Sequence, residues 1–209
     1  MSSAPPILEI KDRKQQLVAD LRRSEILAAA TQVFGDNGFE ATRMEEIARA
    51  AQLAKGTLYL YFQSKDEIYQ ATVQQAIVEL AALTEEHIGK ESHFAGRFAA
   101  FIRVRIAFWQ EKQSLYRVIL SLSRDNHHRQ RSMAWQLGAV RQLQAIFETA
   151  AAAGEIPPQD FLAAAWTTMD AIRGVNERRV FADQDARSTE DDTLFLTQFL
   201  LTALGAAGR

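Results

Sequence analysis

The sequence contains no cysteine, so a disulfide framework and a thiolate metal site are both excluded. That absence fits a reducing cytoplasm, which is where we expect the protein to be located. The N-terminus Met1 to Ile10 has neither a basic leader nor an apolar run of signal-peptide length, and no window of the chain approaches about 18 uninterrupted apolar residues. We therefore expect no secretory signal, no transmembrane helix and no membrane partner.

Proline and strand signals are also scarce. Only four prolines occur, in the pairs Pro5-Pro6 and Pro157-Pro158. Few stretches alternate apolar and polar residues, and no Asn-Gly or Asp-Gly hairpin turn joins such stretches. With 209 residues, 47% of them hydrophobic, the chain is long enough to bury a core in one large or two small domains. We predict an all-α protein.

An excess of charge of either sign is nearly absent as well. The net charge of -2 argues against a generally adhesive nucleic-acid binder. Between Arg43 and Lys65 four basic residues face two acidic ones, which leaves a local charge of only +2. DNA binding by this segment would have to depend on backbone amides, hydroxyls and a second subunit as well as on charge.

Motifs of catalysis and metal binding are missing too. There is no His-Glu-x-x-His motif and no Gly-rich phosphate loop. Asp125-Asn126-His127-His128 is the one run with metal-ligand character, and we expect it in a loop between helices, where a solvated loop is the alternative. The acidic pairs Glu85-Glu86 and Asp191-Asp192 diverge on a helix, which suits solvation or capping better than acid–base work. We predict a protein that is not an enzyme, with no cofactor and no bound metal.

The sequence does contain a distinct pattern between Thr42 and Glu67, where two very short helices appear on either side of a tight turn. The spacing of Thr42 with Glu45, and of Ser64 with Glu67, is that of the capping box and predicts a helix start at each. Between them the pattern predicts a turn and then a helix over Lys55 to Phe62. Proteins build this shape mainly to place a helix in the DNA major groove.

Other helices complete the predicted layout. The first should run from about Asp20 to Asp36, with a left-handed stop at Asn37-Gly38. We therefore divide the chain into an N-terminal tail (1–19), a helix-turn-helix DNA-binding domain (20–66) and a larger helical domain (67–209).

Within the larger domain, Gly154 is predicted to end one helix, and Pro157-Pro158 to begin the next at its first turn. A final helix should begin at Ser188 or Thr189, with acidic residues favouring its positive end.

The helix over Lys55 to Phe62 should bury one side and offer the other to DNA. Leu58 and Phe62, four residues apart, are predicted to anchor it to the two preceding helices. The alternative is that its aromatic residues are only core. However, Tyr59 to Phe62 are consecutive, so they cannot all face one side of a helix.

Several sequence runs follow one another between Arg22 and Ala71: Ala28 to Phe34, Asn37-Gly38-Phe39 with Ala41-Thr42, Glu46-Ile47-Ala48, Lys55-Gly56-Thr57-Leu58-Tyr59-Leu60-Tyr61-Phe62 and Ser64-Lys65-Asp66-Glu67. Together they resemble the N-terminal domain of the TetR family of transcriptional regulators. The Gly-Thr-Leu-Tyr-x-Tyr-Phe run is the most specific part of the match, which covers about a quarter of the chain by motif.

The resemblance implies a set of contacts to a double-stranded DNA operator. Phosphate contacts are implied for Thr42, Tyr59, Tyr61 and Lys65. Base-edge or close groove contacts are implied for Lys55, Gly56, Thr57 and Leu60.

Leu60 has no side-chain group that could read a base by hydrogen bonds. A leucine can touch a thymine methyl but cannot read guanine by hydrogen bonds, so the candidates for base readout are Lys55, Thr57 and Arg43.

The resemblance also implies that the remaining helices bind a small-molecule effector and form a homodimer through the last two helices. The final helix is apolar around more of its surface than one neighbour would need, although both helices could instead complete a monomeric core. Aromatic walls with a few polar groups suit an apolar or amphipathic molecule, and ordinary core packing is the alternative for each aromatic residue. The candidate ligand-binding residues are Phe101, Arg105, Phe108, Trp109, Trp135, Trp166, Asp170, Arg173 and Asn176.

Asp170, Arg173 and Asn176 recur every three residues on one helix. An intersubunit salt bridge or a solvated edge is the alternative role for these three residues.

These features predict a homodimeric, ligand-responsive regulator of transcription. Its typical mode would be repression at a palindromic operator, relieved by the small molecule. The alternatives are a transcriptional activator, or a small-molecule sensor of the same fold with weak or no operator repression.

Overall fold

The computed structural model describes residues 7–123, 126–181 and 187–206. All regular structure in these ranges is α-helical, which confirms the predicted all-α class, and none of the helices described is long and apolar enough to cross a membrane. The helices in these ranges are α1 (Ile7–Asn37), α2 (Met44–Ala50), α3 (Lys55–Tyr61), α4 (Lys65–Gly89), α5 (Phe94–Glu111), α6 (Gln113–Leu122), α7 (Asn126–Ala152), α8 (Phe161–Phe181) and α9 (Thr189–Ala203).

The chain folds as two compact units, residues 1–75 and 76–209, and the division falls inside α4. The sequence placed this boundary slightly earlier, between residues 66 and 67. The first turns of α4 belong to the first unit because they bury Ile68 and Tyr69, and the Tyr69 ring packs edge-on against Phe39 with centroids 5.4 Å apart.

Helix α1 begins at Ile7, well before the start predicted at about Asp20. The segment 7–19 lacks glycine and proline and is rich in Lys, Arg, Gln and Leu, which favour helix. Of the apolar side chains described in this segment, Leu17 and Val18 are exposed, so these two residues mark no buried face from which a helix could have been recognised. The predicted tail is therefore helical from Ile7 onward, and residues 1–6 lie outside the described residues.

The first unit is held by one small core shared between α1, α2 and α3. Its members are fully buried, and they include the two residues predicted to anchor α3, Leu58 and Phe62. From α1 and α2 the core takes Ile26, Ala30, Phe34 and Ile47.

The second unit packs α5 against α7, α8 and α9. Phe94 and Phe98 of α5 pack on Phe147 of α7, with ring centroids 5.9 and 5.5 Å from it. Gly154, at φ +72°, ends the α7 segment as predicted, and the carboxylate of the following Glu155 accepts a hydrogen bond from the Phe94 N–H at 3.0 Å. The turn after α7 thus fixes the start of α5.

A buried ion pair joins α8 to α9. The Arg179 guanidinium donates to the Asp192 carboxylate at 2.5 Å and to Thr189 Oγ1 at 2.7 Å. It also donates to the Arg187 carbonyl at 3.0 Å and, through Nε, to Gln110 Oε1 at 3.1 Å. All three of its nitrogens therefore have partners, which is what makes a buried charge tolerable.

The turn between α2 and α3 is closed by main-chain hydrogen bonds. The Gln52 N–H donates to the Arg49 carbonyl at 3.0 Å, and the Leu53 N–H donates to the Ala48 carbonyl at 2.8 Å. This is the Schellman pattern, whose residue after the helix cap must adopt a left-handed conformation. Gln52 does so at φ +57°, a region that costs a residue with a Cβ about 1–2 kcal/mol.

We expect Gln52→Gly to raise the free energy of unfolding by about 1 kcal/mol, because it removes that cost while keeping both hydrogen bonds. Ala50→Gly is the matched control, since Ala50 is exposed and helical and glycine there should lower stability by about 0.5–1 kcal/mol. Urea denaturation of both variants measures the difference. A loss of stability in Gln52→Gly would contradict the strain at this turn.

Candidate nucleic-acid interface

The loop between α1 and α2 is held by the side chain of Thr42. Its hydroxyl donates to the Gly38 carbonyl at 2.7 Å, and only 2% of the residue is exposed. The hydroxyl predicted to contact a phosphate is thus directed into the protein, where it closes the turn at the end of α1.

The start of α2 differs in detail from the predicted capping box. The cap residue is Arg43, and its N–H donates to the Glu46 carboxylate at 2.8 Å, so the pair lies one residue beyond Thr42 and Glu45. The Thr42 hydroxyl donates to the Gly38 carbonyl, which precedes it in the chain, so it does not cap α2. Arg43 itself is exposed.

The start of α4 agrees more closely with its predicted box. Ser64 Oγ accepts the Glu67 N–H at 3.2 Å, as expected. The Glu67 carboxylate reaches the N–H of Gln63 at 2.7 Å rather than that of Ser64. Helix α4 therefore starts where the sequence suggested, with one partner of its box displaced, whereas α2 starts one residue later and both partners of its box are displaced.

Lys65, at the start of α4, is bound to the loop before α2. Its ammonium donates to the carbonyls of Phe39 at 2.8 Å and Glu40 at 2.9 Å, and lies 3.4 Å from that of Thr42. It also lies 4.6 Å from the centroid of the Phe39 ring. An ammonium has three donors, and these three carbonyls account for them. The side chain predicted to contact a phosphate is used to hold the loop.

Helix α3 is buried along one side and open along the other. Leu58 is fully buried, whereas Leu60 is 82% exposed and Lys55 and Gly56 are also exposed. Thr57, Tyr59 and Tyr61 are half-buried at the edges of this open face. The consecutive residues divide between core and surface as the helical geometry requires.

Lys55 is paired with Glu45 of α2. The ammonium forms an exposed ion pair with the carboxylate and lies 5.9 Å from the Tyr59 ring centroid. Their hydrogen bond raises the pKa of Lys55 and lowers the pKa of Glu45. A contact of Lys55 with DNA would therefore compete with this carboxylate.

Arg23 of α1 has a positioning role that the sequence did not reveal. Its Nη1 donates to the Tyr61 carbonyl at 3.2 Å, and its guanidinium lies 4.1 Å over the Phe62 ring. A cation at a helix C-terminus satisfies a free carbonyl and complements the helix dipole. The partners are far apart in sequence, so no local spacing could have indicated them.

Gly56 has a helical backbone, and a Cβ added to it would meet no other atom within 4 Å. The fold thus leaves room for a side chain at this position. Because Gly56 has no side chain, the main chain at the start of α3 is accessible.

The aromatic residues proposed as ligand contacts are mostly packed in the second unit. Phe101 and Phe108 are buried, and Trp109 lies between Phe108 and Tyr116, with centroids 5.2 and 5.0 Å away. Trp166 is half-buried against the core, and Trp135 is half-buried on α7.

The three polar candidates on α8 do not share one surface. Asp170 and Arg173 are exposed and form an ion pair at 2.9 Å, whereas Asn176 is buried. Steps of three residues drift around a helix with 3.6 residues per turn, so the first and third members point in different directions. Arg105 on α5 is buried as well.

The run with metal-ligand character, residues 125–128, falls outside the side chains that the structure describes. Asp125 is not described, and neither are the side chains of His127 and His128. The backbone there forms the first turn of α7 from Asn126, rather than the expected loop. Among the side chains that are described, no three of the His, Asp and Glu type form a group suited to a metal ion.

The geometry of the first unit is that of a helix-turn-helix domain. A short helix is anchored by Leu58 and Phe62, capped by Arg23, and reached through a closed turn, while its other side is open to solvent. A helix presented in this way fits the major groove.

Comparison with known proteins agrees with this geometry. Residues 26–72 match the family model described as bacterial regulatory proteins, tetR family. The chain is 33% identical over 107 residues to the HTH-type transcriptional activator FasR of Mycolicibacterium smegmatis, a match covering 51% of this chain and 49% of FasR. It is 38% identical over 60 residues to the HTH-type transcriptional regulator UidR of Escherichia coli K12, covering 29% of this chain and 31% of UidR. The chain thus covers half or less of these curated relatives.

The fold is shared over more of the chain. The fatty acid degradation regulator FadR from Bacillus halodurans superposes with a TM-score of 0.80 at 18% identity, covering 89% of this chain and 97% of that one. A TetR-family regulator structure from Syntrophomonas wolfei gives a TM-score of 0.77 at 16% identity, covering 88% and 95%. Residues 26–72 therefore match the DNA-binding segment of the TetR family, and the chain shares the fold of a TetR-family regulator structure over 88% of its length.

Proposed function

We propose that this protein is a homodimeric repressor that binds a palindromic operator in the cytoplasm and is released by a small molecule. The observation that carries the proposal is the open side of α3, where Leu60 is exposed and Gly56 leaves the main chain uncovered although the fold does not need a glycine there. An apolar side chain in water and an unneeded glycine both make sense if another surface closes on this helix.

The direct test is selection of bound sequences from random double-stranded DNA at physiological salt. We expect enrichment of a two-fold symmetric site, because two recognition helices related by a dimer axis read the same half-site twice. Failure to enrich any palindromic site would contradict the proposal.

Activation is the second candidate, and the observation that favours it is the relative FasR, whose name describes a transcriptional activator. A reporter gene placed behind the selected operator separates the two modes. Loss of expression when the protein is added indicates repression, and gain indicates activation.

The surface of α9 supports a dimer. Its inner side buries Leu196 and Leu200, while Phe195 and Phe199 on the outer side are 54% and 61% exposed and stack on each other with centroids 6.1 Å apart. One helix thus has two apolar sides, and only one of them is covered by the described residues of the chain. A second copy of α9 would cover the other.

The proposed effector works by population shift. A ligand that binds the DNA-incompetent arrangement better than the competent one lowers operator affinity by the ratio of its two affinities. The ligand-binding region belongs to the helices of residues 76–209, where we retain Phe101, Phe108, Trp109, Trp135 and Trp166 as candidate apolar contacts.

We expect Gly56→Ala to weaken operator binding by about tenfold or more, because a methyl group blocks close approach of DNA to the main chain. Thermal stability should stay equal or rise by up to about 1 kcal/mol, since the Cβ meets no atom and alanine favours helix. Gly138→Ala on α7 is the control, because its Cβ also meets no atom and it should leave DNA binding unchanged. Fluorescence anisotropy and calorimetry measure both effects, and unaltered operator affinity in Gly56→Ala would remove this helix start from the interface.

Lys65→Met and Arg43→Gln should differ in the salt dependence of operator binding. Removing a phosphate contact lowers the slope of log K against log[salt] by about 0.9 per contact. We expect that change for the exposed Arg43, counted once per subunit. Lys65→Met should keep the slope and instead lower stability by about 1–2 kcal/mol, because three carbonyls lose their donor.

A lowered slope in Lys65→Met, with stability unchanged, would restore the originally predicted phosphate contact. An unchanged slope in Arg43→Gln would remove Arg43 from the DNA backbone.

The double variant Phe195→Glu, Phe199→Glu should be monomeric at micromolar concentration, because four carboxylates would meet at the proposed dimer surface. The control is Val78→Glu, another exposed apolar residue outside α9, which should leave the mass unchanged. Light scattering distinguishes the outcomes. A double variant that keeps the wild-type mass would show that this side of α9 is not the interface.

A further inference from the structure

Arg105 on α5 is a buried cation with incomplete partners. It is 4% exposed, its Nη1 donates to Thr84 Oγ1 at 3.0 Å, and the same nitrogen lies 3.5 Å from the Phe101 carbonyl. Its guanidinium lies 3.5 Å from the Phe101 ring centroid. Nε is buried without any hydrogen-bond partner, and Nη2 makes none with the described residues.

No acidic side chain in the described part of the chain offsets this charge. Burial lowers the pKa of Arg105 to about 9, and desolvation is its sole cause. The group is therefore still mostly cationic at neutral pH. Burying a cation without a counter-charge is costly, and proteins usually avoid it.

The same chain shows how a buried arginine looks when its role is structural. Arg179 uses all three nitrogens and meets the buried carboxylate of Asp192. Arg105 instead leaves one edge of its guanidinium unused, and that edge carries the neighbouring donors Nε and Nη2. Two parallel N–H donors on one edge match the two oxygens of a carboxylate.

Among the described residues, the side chains seen in contact with the Arg105 guanidinium are the hydroxyl of Thr84 and the aromatic ring of Phe101. Phe101 lies under the guanidinium, and Ile102, Ile106 and Phe108 are buried on the same helix. A singly charged carboxylate on an apolar body suits such a site better than a phosphate, because a second negative charge would have to be desolvated without a partner.

We propose that the Nε–Nη2 edge of Arg105 binds the carboxylate of a small amphipathic organic acid, and that this acid is the effector. This deepens the ligand-responsive function proposed above and depends on it for the regulatory role. Because Arg105 is enclosed, uptake requires local opening of the helices that cover it. The bound acid then stabilises an arrangement different from the closed one, which is the condition for a shift in population.

The test uses the full chain and matched probes. Octanoate, decanoate, phenylacetate and 1-naphthylacetate are each compared with the primary amide of the same body by calorimetry. We expect at least one acid to bind about tenfold or more tightly than its amide, since a paired charge contributes more than a neutral hydrogen bond. Arg105→Gln should reduce that preference to about twofold or less. Arg103→Gln removes an exposed arginine from the same helix and should keep the preference.

Arg105→Met separates binding from folding. Thr84 also donates to the Leu80 carbonyl at 2.7 Å, so removing the guanidinium leaves this hydroxyl bonded. The melting temperature of the ligand-free variant should therefore stay equal or rise, and the acid preference should vanish. A lowered melting temperature together with a retained preference would assign Arg105 a purely structural role and overturn the proposal.

The proposal is also overturned if the wild type prefers none of the four acids over its amide, or if Arg105→Gln keeps the preference. Operator binding is measured separately on the same samples. An acid preference without release of the operator leaves the Arg105 site standing and contradicts ligand-controlled repression. Operator binding without any acid preference contradicts the Arg105 site and leaves the proposed DNA-binding function standing.

Discussion

The first unit depends on one ammonium group. Lys65 lies at the first position of α4, yet its Nζ is bound to the carbonyls of Phe39 and Glu40 in the loop after α1. These carbonyls follow the end of a helix and would otherwise need solvent. The one contact thus joins three parts of the chain, namely the end of α1, the approach to α2 and the start of α4. With Thr42 bonded to Gly38, it determines the direction in which α2 leaves the loop, and α2 in turn supports α3.

The sequence predicted much of this unit because its signals are local. Leu58 and Phe62 lie on one helical face, Ser64 has the spacing of a cap, and Gly38 has the conformation that only glycine adopts easily. The roles of Lys65 and Arg23 could not be read in the same way. Their partners are main-chain carbonyls far along the chain, and a carbonyl has no signature in a sequence. A basic residue beside a DNA-binding motif is therefore ambiguous until its acceptors are known.

The second unit was less predictable for a related reason. Helical spacing indicated where helices lie but not which side of each is covered, as Asp170 and Asn176 show on α8. The extension of α1 to Ile7 was missed, and Leu17 and Val18, two apolar residues of that segment, are exposed. The contrast between Arg179 and Arg105 is the clearest example. Both are arginines on helices with apolar neighbours. Only the positions of the surrounding residues show that Arg179 has a carboxylate partner whereas Arg105 Nε has none.

On the proposed DNA-binding face, the pairing of Lys55 with Glu45 would affect how the protein searches DNA. Most DNA that a regulator meets is not its operator, and binding there depends mainly on cations facing phosphates. Glu45 partly neutralises Lys55 on the face proposed to meet DNA and adds a negative charge beside it. With such a face, residence on random sequence would be shortened, which would leave a larger share of the molecules free to reach their operators.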